Sequence, residues 1–412
     1  MDLTLSEQAE RLRTEVRQFI ATHVPQGWAG EGALDPADVP RFRQDWRAAL
    51  VEAHLLAPHW PTEYGGRGLD ALEYAVVVEE FVAAGVPQFP ATNDGMGISL
   101  LGPAVLAWGT EEQKQRFLPA TLRGDIRWAQ GYSEPEAGSD LFALKTRADR
   151  FGDEFVLNGQ KIWQTVGLTA NWIFVLARTD PQARKSRGIT FFVVELDQPG
   201  VEVRGIRNLN GEPEFCEVFF TDARTSAENV IGGVDNGAKV ALTLLGHERG
   251  ANGLSLALAN RIELQRLATL IRESGLADDD EIRRRLGKLA ADVELQRAFA
   301  LWLLGETAGG SEVGPLSSIV KLRGSQHRQR VHELALDVLG TRMNDLRGAA
   351  GTENLRAEPL GTDPLSSRVW ARDFLFTRAG TIYGGSEQIQ KNTLGEQVLG
   401  LPREPAPTPQ GA

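Results

Sequence analysis

Residues 172–220 read WIFVLARTDPQARKSRGITFFVVELDQPGVEVRGIRNLNGEPEFCEVFF. Four runs stand out: WIFVLART (172–179), GITFFVVEL (188–196), GVEVRGI (200–206) and EFCEVFF (214–220). Each is rich in β-branched and aromatic residues, and turn-forming residues separate them every ten or so positions. An antiparallel β domain is the expectation. Just upstream, EFVLNGQKIWQ (154–164) places Asn158-Gly159 between two strand-like runs. That dipeptide predicts a type I′ hairpin, because both central residues of such a turn need positive φ.

On both sides the pattern changes to a helical one. Leu5, Ala9, Leu12, Val16, Phe19 and Ile20 recur at helical spacing, with Glu7, Arg11, Arg13 and Arg17 between them. DALEYAVVVEEFVAA (70–84) predicts a more buried helix, and EEQKQRFLPATL, from Glu111, a shorter one. Pro58, Pro61, Gly65, Gly66 and Gly68 mark a loop between helices. After Gly237 the strand signals stop. Helices are expected over 238–273, 281–305, 316–339, 369–380 and 386–399, with a looser stretch from Thr341 to Ser367. The expected organisation is an N-terminal helical domain (1–127), a β domain (128–234), a C-terminal helical domain (235–402) and a disordered Pro-rich tail (403–412).

The chain has 412 residues, of which 42% are hydrophobic and 24% charged, values ordinary for globular proteins. Its net charge of −11 argues against coating nucleic acid, which needs a basic footprint. The single cysteine, Cys216, allows no intramolecular disulfide and no Cys-based zinc site. No secretory signal opens the chain, and no apolar run reaches the roughly 18 residues of a membrane helix. A soluble cytoplasmic protein is expected.

QGYSEPEAGSD (130–140) sits at the entry to the β domain. Its small residues let backbone N–H groups and hydroxyls approach a ligand, or simply make a tight loop. With WPTEYGGRGL from Trp60, GTEEQKQRFLP from Gly109, LNGQKIW from Leu157, GHERG from Gly246 and IYGGSEQIQKNTLGEQVLGLPRE from Ile382, this segment resembles the acyl-CoA dehydrogenase family of flavoproteins. The resemblance runs in order over roughly residues 3–404. It implies an α+β fold: a helical N-terminal domain, a middle antiparallel β-barrel and a C-terminal four-helix bundle.

The resemblance also implies FAD between the β domain and the C-terminal helices. Tyr132, Ser133 and Ser139 match loop positions lining the flavin or the substrate pantetheine. Trp163 and Thr165 match positions against the isoalloxazine ring; otherwise Trp163 would belong to the β core. Ser386 and Gln388 match positions touching the cofactor, although Ser386 could equally be only a helix N-cap. Tyr383 and Arg249 match positions on the substrate side. The implied reaction is α,β-dehydrogenation of an acyl-CoA thioester, with electrons passed to an electron-transferring flavoprotein. Many relatives carry the base in a Tyr-Glu-Gly-Thr-like segment. Here that stretch is Tyr383-Gly384-Gly385-Ser386, so the position holds Gly384. A second group of relatives places a glutamate before an arginine on a C-terminal helix, which matches Glu248-Arg249. Glu248 is therefore the expected base, and Gly384 the expected donor of a backbone N–H to the thioester carbonyl. His247 is expected to be structural, and Glu387 to face solvent or its helix N-terminus.

Two departures bear on assembly. The family's Arg-x-x-Phe-Gly segment, which holds the neighbouring subunit's FAD, is absent from IRESGLADDDEIRRRLGKLA, and VLGTRMNDLRG stands where a Gly-Gly turn is common. Arg266 or Arg272 is a conceivable replacement. The pattern is similar to a bacterial subgroup acting on bulky, cyclic or dicarboxylic acyl-CoAs, as homo- or hetero-oligomers (dimers or tetramers). A non-catalytic partner subunit and an acyl-CoA oxidase are the alternatives. Gly95, Gly97, Gly102 and Gly246 leave room for a wide substrate or are only helix ends and turns.

Overall fold

The structure is a computed structural model that describes residues 6–183, 185–209, 211, 213–308, 314–344 and 366–403. The side chains of 246–252, 307, 308 and 368 lie outside the described residues, as does the expected tail beyond Arg403.

Helix α1 (Glu7–His23) starts where the Ser6 hydroxyl accepts the Ala9 N–H, and it buries Ala9, Leu12, Val16 and Ile20 on one stripe. Helix α2 (Val39–Glu52) buries Phe42, Trp46 and Leu50. Helix α3 (Ala71–Ala84) opens on a reciprocal Asp70/Glu73 capping box and ends at left-handed Gly85. A π-helical turn at Gly95–Leu101 leads into α4 (Gly102–Trp108). Helix α5 (Glu111–Arg123) has a second capping box, Thr110/Gln113.

The middle of the chain forms one eight-stranded sheet. Its strands are β1 (Trp128–Gly131), β2 (Arg147–Phe151), β3 (Glu154–Thr165), β4 (Trp172–Arg178), β5 (Ile189–Glu195), β6 (Val201–Ile206), β7 (Phe215–Ser226) and β8 (Val230–Ile231). The order is β6-β7-β3-β2-β4-β5-β8, with β1 on β4. The sheet curls over one interior, since Thr225 of β7 donates to the Val193 carbonyl of β5 at 2.9 Å although the two strands are remote in that order. Ile173, Val175 and Ala177 of β4 face that interior, while Trp172, Phe174 and Leu176 face a second core shared with the N-terminal helices. A strand buried on both faces reads as a continuous apolar run, as WIFVLA does.

Two expectations need correction. Not every pairing is antiparallel: β1 runs parallel to β4, and β2 meets β4 in parallel at Arg147 and Arg178. The hairpin turn is Gly152-Asp153, between paired Phe151 and Glu154, not Asn158-Gly159. Asn158-Gly159 lies inside β3 at a bulge against β7. There the Asn158 amide exchanges two 3.0 Å hydrogen bonds with Asp222. A Cβ on Gly159 would lie 2.7 Å from the Thr146 backbone, so this glycine lets the segment before β2 approach.

Helices α6 (Gly237–Glu273), α7 (Asp280–Ala308), α8 (Ser318–Leu339) and α9 (Ser367–Thr377) pack around Leu267, Leu270, Leu289, Val331, Leu334, Val338 and Trp370. Helix α10 (Glu387–Thr393) and a π-helical turn, Leu394–Val398, follow. Among the described residues, no helix is long and apolar enough to cross a membrane.

Candidate active site

Where the sheet meets the C-terminal helices, β3 leaves regular geometry. Its pairing with β7 shifts between Ile162 and Gln164. Trp163 has φ +69° and Val166 φ +55°. A left-handed β-branched valine is a genuine outlier, and such strain persists only where surrounding structure enforces it. Asn93 supplies part of that enforcement. Its buried amide donates to the carbonyls of Trp128 and Val166 at 3.1 Å each and accepts from the Thr169 hydroxyl at 2.9 Å.

The kink throws Trp163 outward, and its side chain is 56% exposed, which removes the possibility that it is β core. Its ring meets Phe215 edge-on at 6.1 Å. Phe215 stacks on Phe376 of α9 at 6.3 Å, and Phe376 lies 6.3 Å from Tyr383. A line of four aromatic rings thus joins the strand bearing Trp163 and Thr165 to the Tyr383–Ser386 turn. Thr165 is half-buried and pairs with Phe215 across the ladder.

On the helical side, Gly384 and Gly385 have φ +63° and +85°, values that favour glycine. Gln390 donates to both of their carbonyls, at 3.0 and 3.3 Å. Lys321 of α8 donates to the Gly380 carbonyl at 2.7 Å and lies over the Tyr383 ring. Ser386 caps α10, accepting the Ile389 N–H at 3.3 Å. Gln388 is exposed on α10. Glu387 is held by Lys391 at 2.5 Å and by Gln326 at 3.0 Å. Lys391 and burial pull its carboxyl in opposite directions, and with Gln326 and Lys321 the balance lies below the usual range.

The 132–140 loop is anchored from beneath. Tyr132 is buried, Ser133 half-buried and Ser139 exposed. The Ser133 carbonyl accepts the Ile162 N–H of β3 at 3.0 Å. Glu134, 8% exposed, receives the Thr146 and Lys145 N–H groups at 2.9 and 2.6 Å. It also receives the fully buried Lys161 ammonium at 2.7 Å. Burial alone would raise the Glu134 carboxyl, but Lys161 and the N–H donors outweigh it and hold it low. At Lys161 burial wins over the single carboxylate and brings the amine down to about 8. Sequence reasoning passed over Lys161. Its one signal was a lysine midway along a strand pattern, two residues before the tryptophan.

Glu248, Arg249 and His247 belong to α6, but their side chains lie outside the described residues, as does that of Gly246's neighbourhood. Gly97 and Gly102 do not leave space. A Cβ on Gly97 would lie 2.7 Å from Trp128, and one on Gly102 2.2 Å from Trp60, so those indoles fill the gaps. Arg266 lies over the Trp370 ring, 5.5 Å from its centroid. Arg272 donates to Thr269 and rims a depression of about 420 Å³ between α6 and α7.

Elsewhere in the bundle, Glu263, His332 and Asp373 bring ligand atoms within 4.8 Å of one another. Arg328 lies 3.4 Å from Glu263 and Arg372 2.9 Å from Asp373. Guanidinium groups already match both carboxylates, so this group is an internal ion network rather than a cation cage.

Comparison with known proteins agrees with this architecture over its full length. Family profiles match as the N-terminal domain of acyl-CoA dehydrogenase over residues 6–125, the middle domain over 129–223 and the C-terminal domain over 235–399. The acyl-CoA dehydrogenase IpdE1 of Mycobacterium tuberculosis is 37% identical, over 97% of this chain and 99% of its own length. A solved structure titled "Tcur3481-Tcur3483 steroid ACAD" superposes with a TM-score of 0.78 at 28% identity, covering 98% of this chain and all of that one. The ChsE4-ChsE5 complex from Mycobacterium tuberculosis gives a TM-score of 0.75 at 27% identity, over 98% of this chain and all of that one. The chain belongs to the acyl-CoA dehydrogenase family.

Proposed function

We propose that the protein binds FAD in the cleft between the sheet and the C-terminal helices and there converts an acyl-CoA thioester to its 2-enoyl form. The observation that carries this reading is Trp163: a large aromatic side chain, exposed on a strained strand end and linked through Phe215 and Phe376 to Tyr383, in a chain of this family. An exposed flat apolar ring beside hydroxyls suits a heteroaromatic cofactor with a polar edge. Trp163, Thr165, Ser133 and Tyr132 would hold it from the sheet side, with Ser139, Ser386 and Gln388 at its margins.

When bound, FAD supplies the acceptor for the hydride leaving the β carbon. The protein's own task is the α proton. In this reading the Glu248 carboxylate takes it, and the electron pair it leaves becomes the new carbon–carbon double bond as the β hydride departs. Negative charge grows on the thioester oxygen during that step, and the Gly384 N–H stabilises it. Among the described residues, the left-handed backbone at Gly384 has only the Lys321 side chain within 4 Å of where a Cβ would be, at 3.6 Å. A base arriving from α6 and an empty position 384 are sterically consistent. Arg249 and Tyr383 would border the substrate.

The structural relative titled a steroid ACAD supports a bulky, ring-bearing acyl group as substrate. The two-name titles of both solved relatives support assembly with a second chain. Ile382, Leu399 and Leu401 agree with assembly, since each is more than half exposed. An electron-transferring flavoprotein is the proposed acceptor, and a cytoplasmic location the proposed setting. The test is product analysis: purified protein under nitrogen with a panel of CoA thioesters and an artificial electron acceptor. A product lighter by two hydrogens supports the reading. No such product from any thioester, alone or with a co-expressed partner chain, would sink it. Stoichiometric peroxide in air would reassign the protein as an oxidase.

A further inference from the structure

The buried Lys161–Glu134 pair ties the 132–134 loop to β3. Lys161 is fully buried and Glu134 nearly so. The ammonium lies 2.7 Å from Glu134 Oε1 and 3.3 Å from the Tyr132 carbonyl. Glu134 is in turn pinned by the N–H groups of Lys145 and Thr146, just before β2. One residue beyond Lys161, the Ile162 N–H holds the Ser133 carbonyl; one further is Trp163. Three chain segments therefore converge on one ion pair.

We propose that Lys161 is a positioning residue: by binding Glu134 and the Tyr132 carbonyl together, it locks residues 132–134 to β3, so that Ser133 and Trp163 form one rigid wall for the cofactor. The inference rests on the FAD reading above and adds a residue that never touches cofactor or substrate. General stabilisation is a poor account of the pair. Burying two charges costs about as much as their attraction returns, and an apolar pair of similar size would stabilise the sheet as well. An apolar pair could not bind a backbone carbonyl and two N–H groups at once. Burial also drives the lysine toward its neutral form, which marks a charge held at a cost rather than one that the fold favours.

The test uses the full-length protein, wild type and three variants: Lys161→Met, Lys161→Met/Glu134→Gln, and Arg43→Met. Arg43 forms a bidentate pair with buried Glu31 in the N-terminal helices, remote in the chain from the loop, and controls for general destabilisation. Amide exchange is measured on the flavin-free proteins, and FAD affinity by titration. The loss of one charge-assisted hydrogen bond predicts FAD binding weakened roughly 10- to 100-fold in both Lys161 variants. It also predicts faster exchange at residues 132–134 and 162, with Arg43→Met unchanged in both respects. If Lys161→Met does not fold, the double variant decides, because it leaves no unpaired buried charge. Wild-type FAD affinity or wild-type exchange in the folded double variant would overturn the inference. A wild type that takes up no FAD would instead overturn the cofactor reading, and the exchange comparison alone would then decide whether the lock exists.

Discussion

The sheet side and the helical side of the cleft are held by different means. On the sheet side, Trp163 and Thr165 sit on a strand bent into left-handed geometry, with a buried ion pair behind it and the Asn93 amide beside it. On the helical side, Tyr383–Ser386 form a glycine turn fastened by Gln390 and Lys321, and an added Cβ at Gly384 would meet only Lys321 among the described residues. The first wall is over-determined and suits a partner that stays in place. The second is spare and leaves room for a partner that comes and goes. Substitutions at Trp163 and Thr165 should therefore act on cofactor binding, and those at Glu248 and Gly384 on substrate and turnover.

The largest expected effect breaks that division most plainly if it fails. Glu248→Gln should lower turnover by about 10²–10⁴-fold, the usual worth of a positioned proton acceptor, with FAD affinity unchanged. Steady-state rates and an FAD titration check both halves. Next, Trp163→Ala should cost about 1–3 kcal/mol of FAD binding, roughly 5- to 150-fold in Kd, through lost apolar contact. Unaltered affinity would show that the exposed indole serves another surface. Gly384→Ala places a side chain at φ +63° at a cost of about 1 kcal/mol. KM should rise severalfold while FAD affinity stays level; a change in FAD affinity alone would put the turn on the cofactor side.

The smallest effect concerns pH. Glu134 titrates below its ordinary value in the folded protein. Its contribution to stability is complete above that ordinary value and disappears as pH falls through the lower folded one. Lys161 is protonated in both states throughout that range and adds no slope. Between about pH 6 and 3, the wild type should lose stability more steeply than Lys161→Met/Glu134→Gln, as denaturant midpoints will show. Parallel curves would mean that Glu134 gains nothing from its partners.

Much of this architecture is legible in the sequence. The helical pattern at 70–84 matches α3, and the runs at 172–179 and 188–196 become strands within a residue of their expected ends. What escaped depends on partners distant in the chain. Asn158-Gly159 has the local preferences of a turn, but Asp222 captures the asparagine and Thr146 needs the space over the glycine. Gly97 and Gly102 look like room until Trp128 and Trp60 occupy it. Lys161 passes unnoticed in its strand because nothing nearby in sequence announces Glu134 beneath it. Local propensity reports what a segment can do alone, while the cleft is made where segments meet.

The central claim, flavin-dependent oxidation of an acyl thioester, is tested most directly by the visible spectrum of the purified protein. It should be recorded without oxygen before and after a panel of straight-chain and ring-bearing acyl-CoAs. The account predicts a bound flavin band that bleaches with at least one thioester, and in Glu248→Gln a band that is present but persists. A protein that stays colourless with added FAD, or a Glu248→Gln variant that bleaches at the wild-type rate, would contradict it.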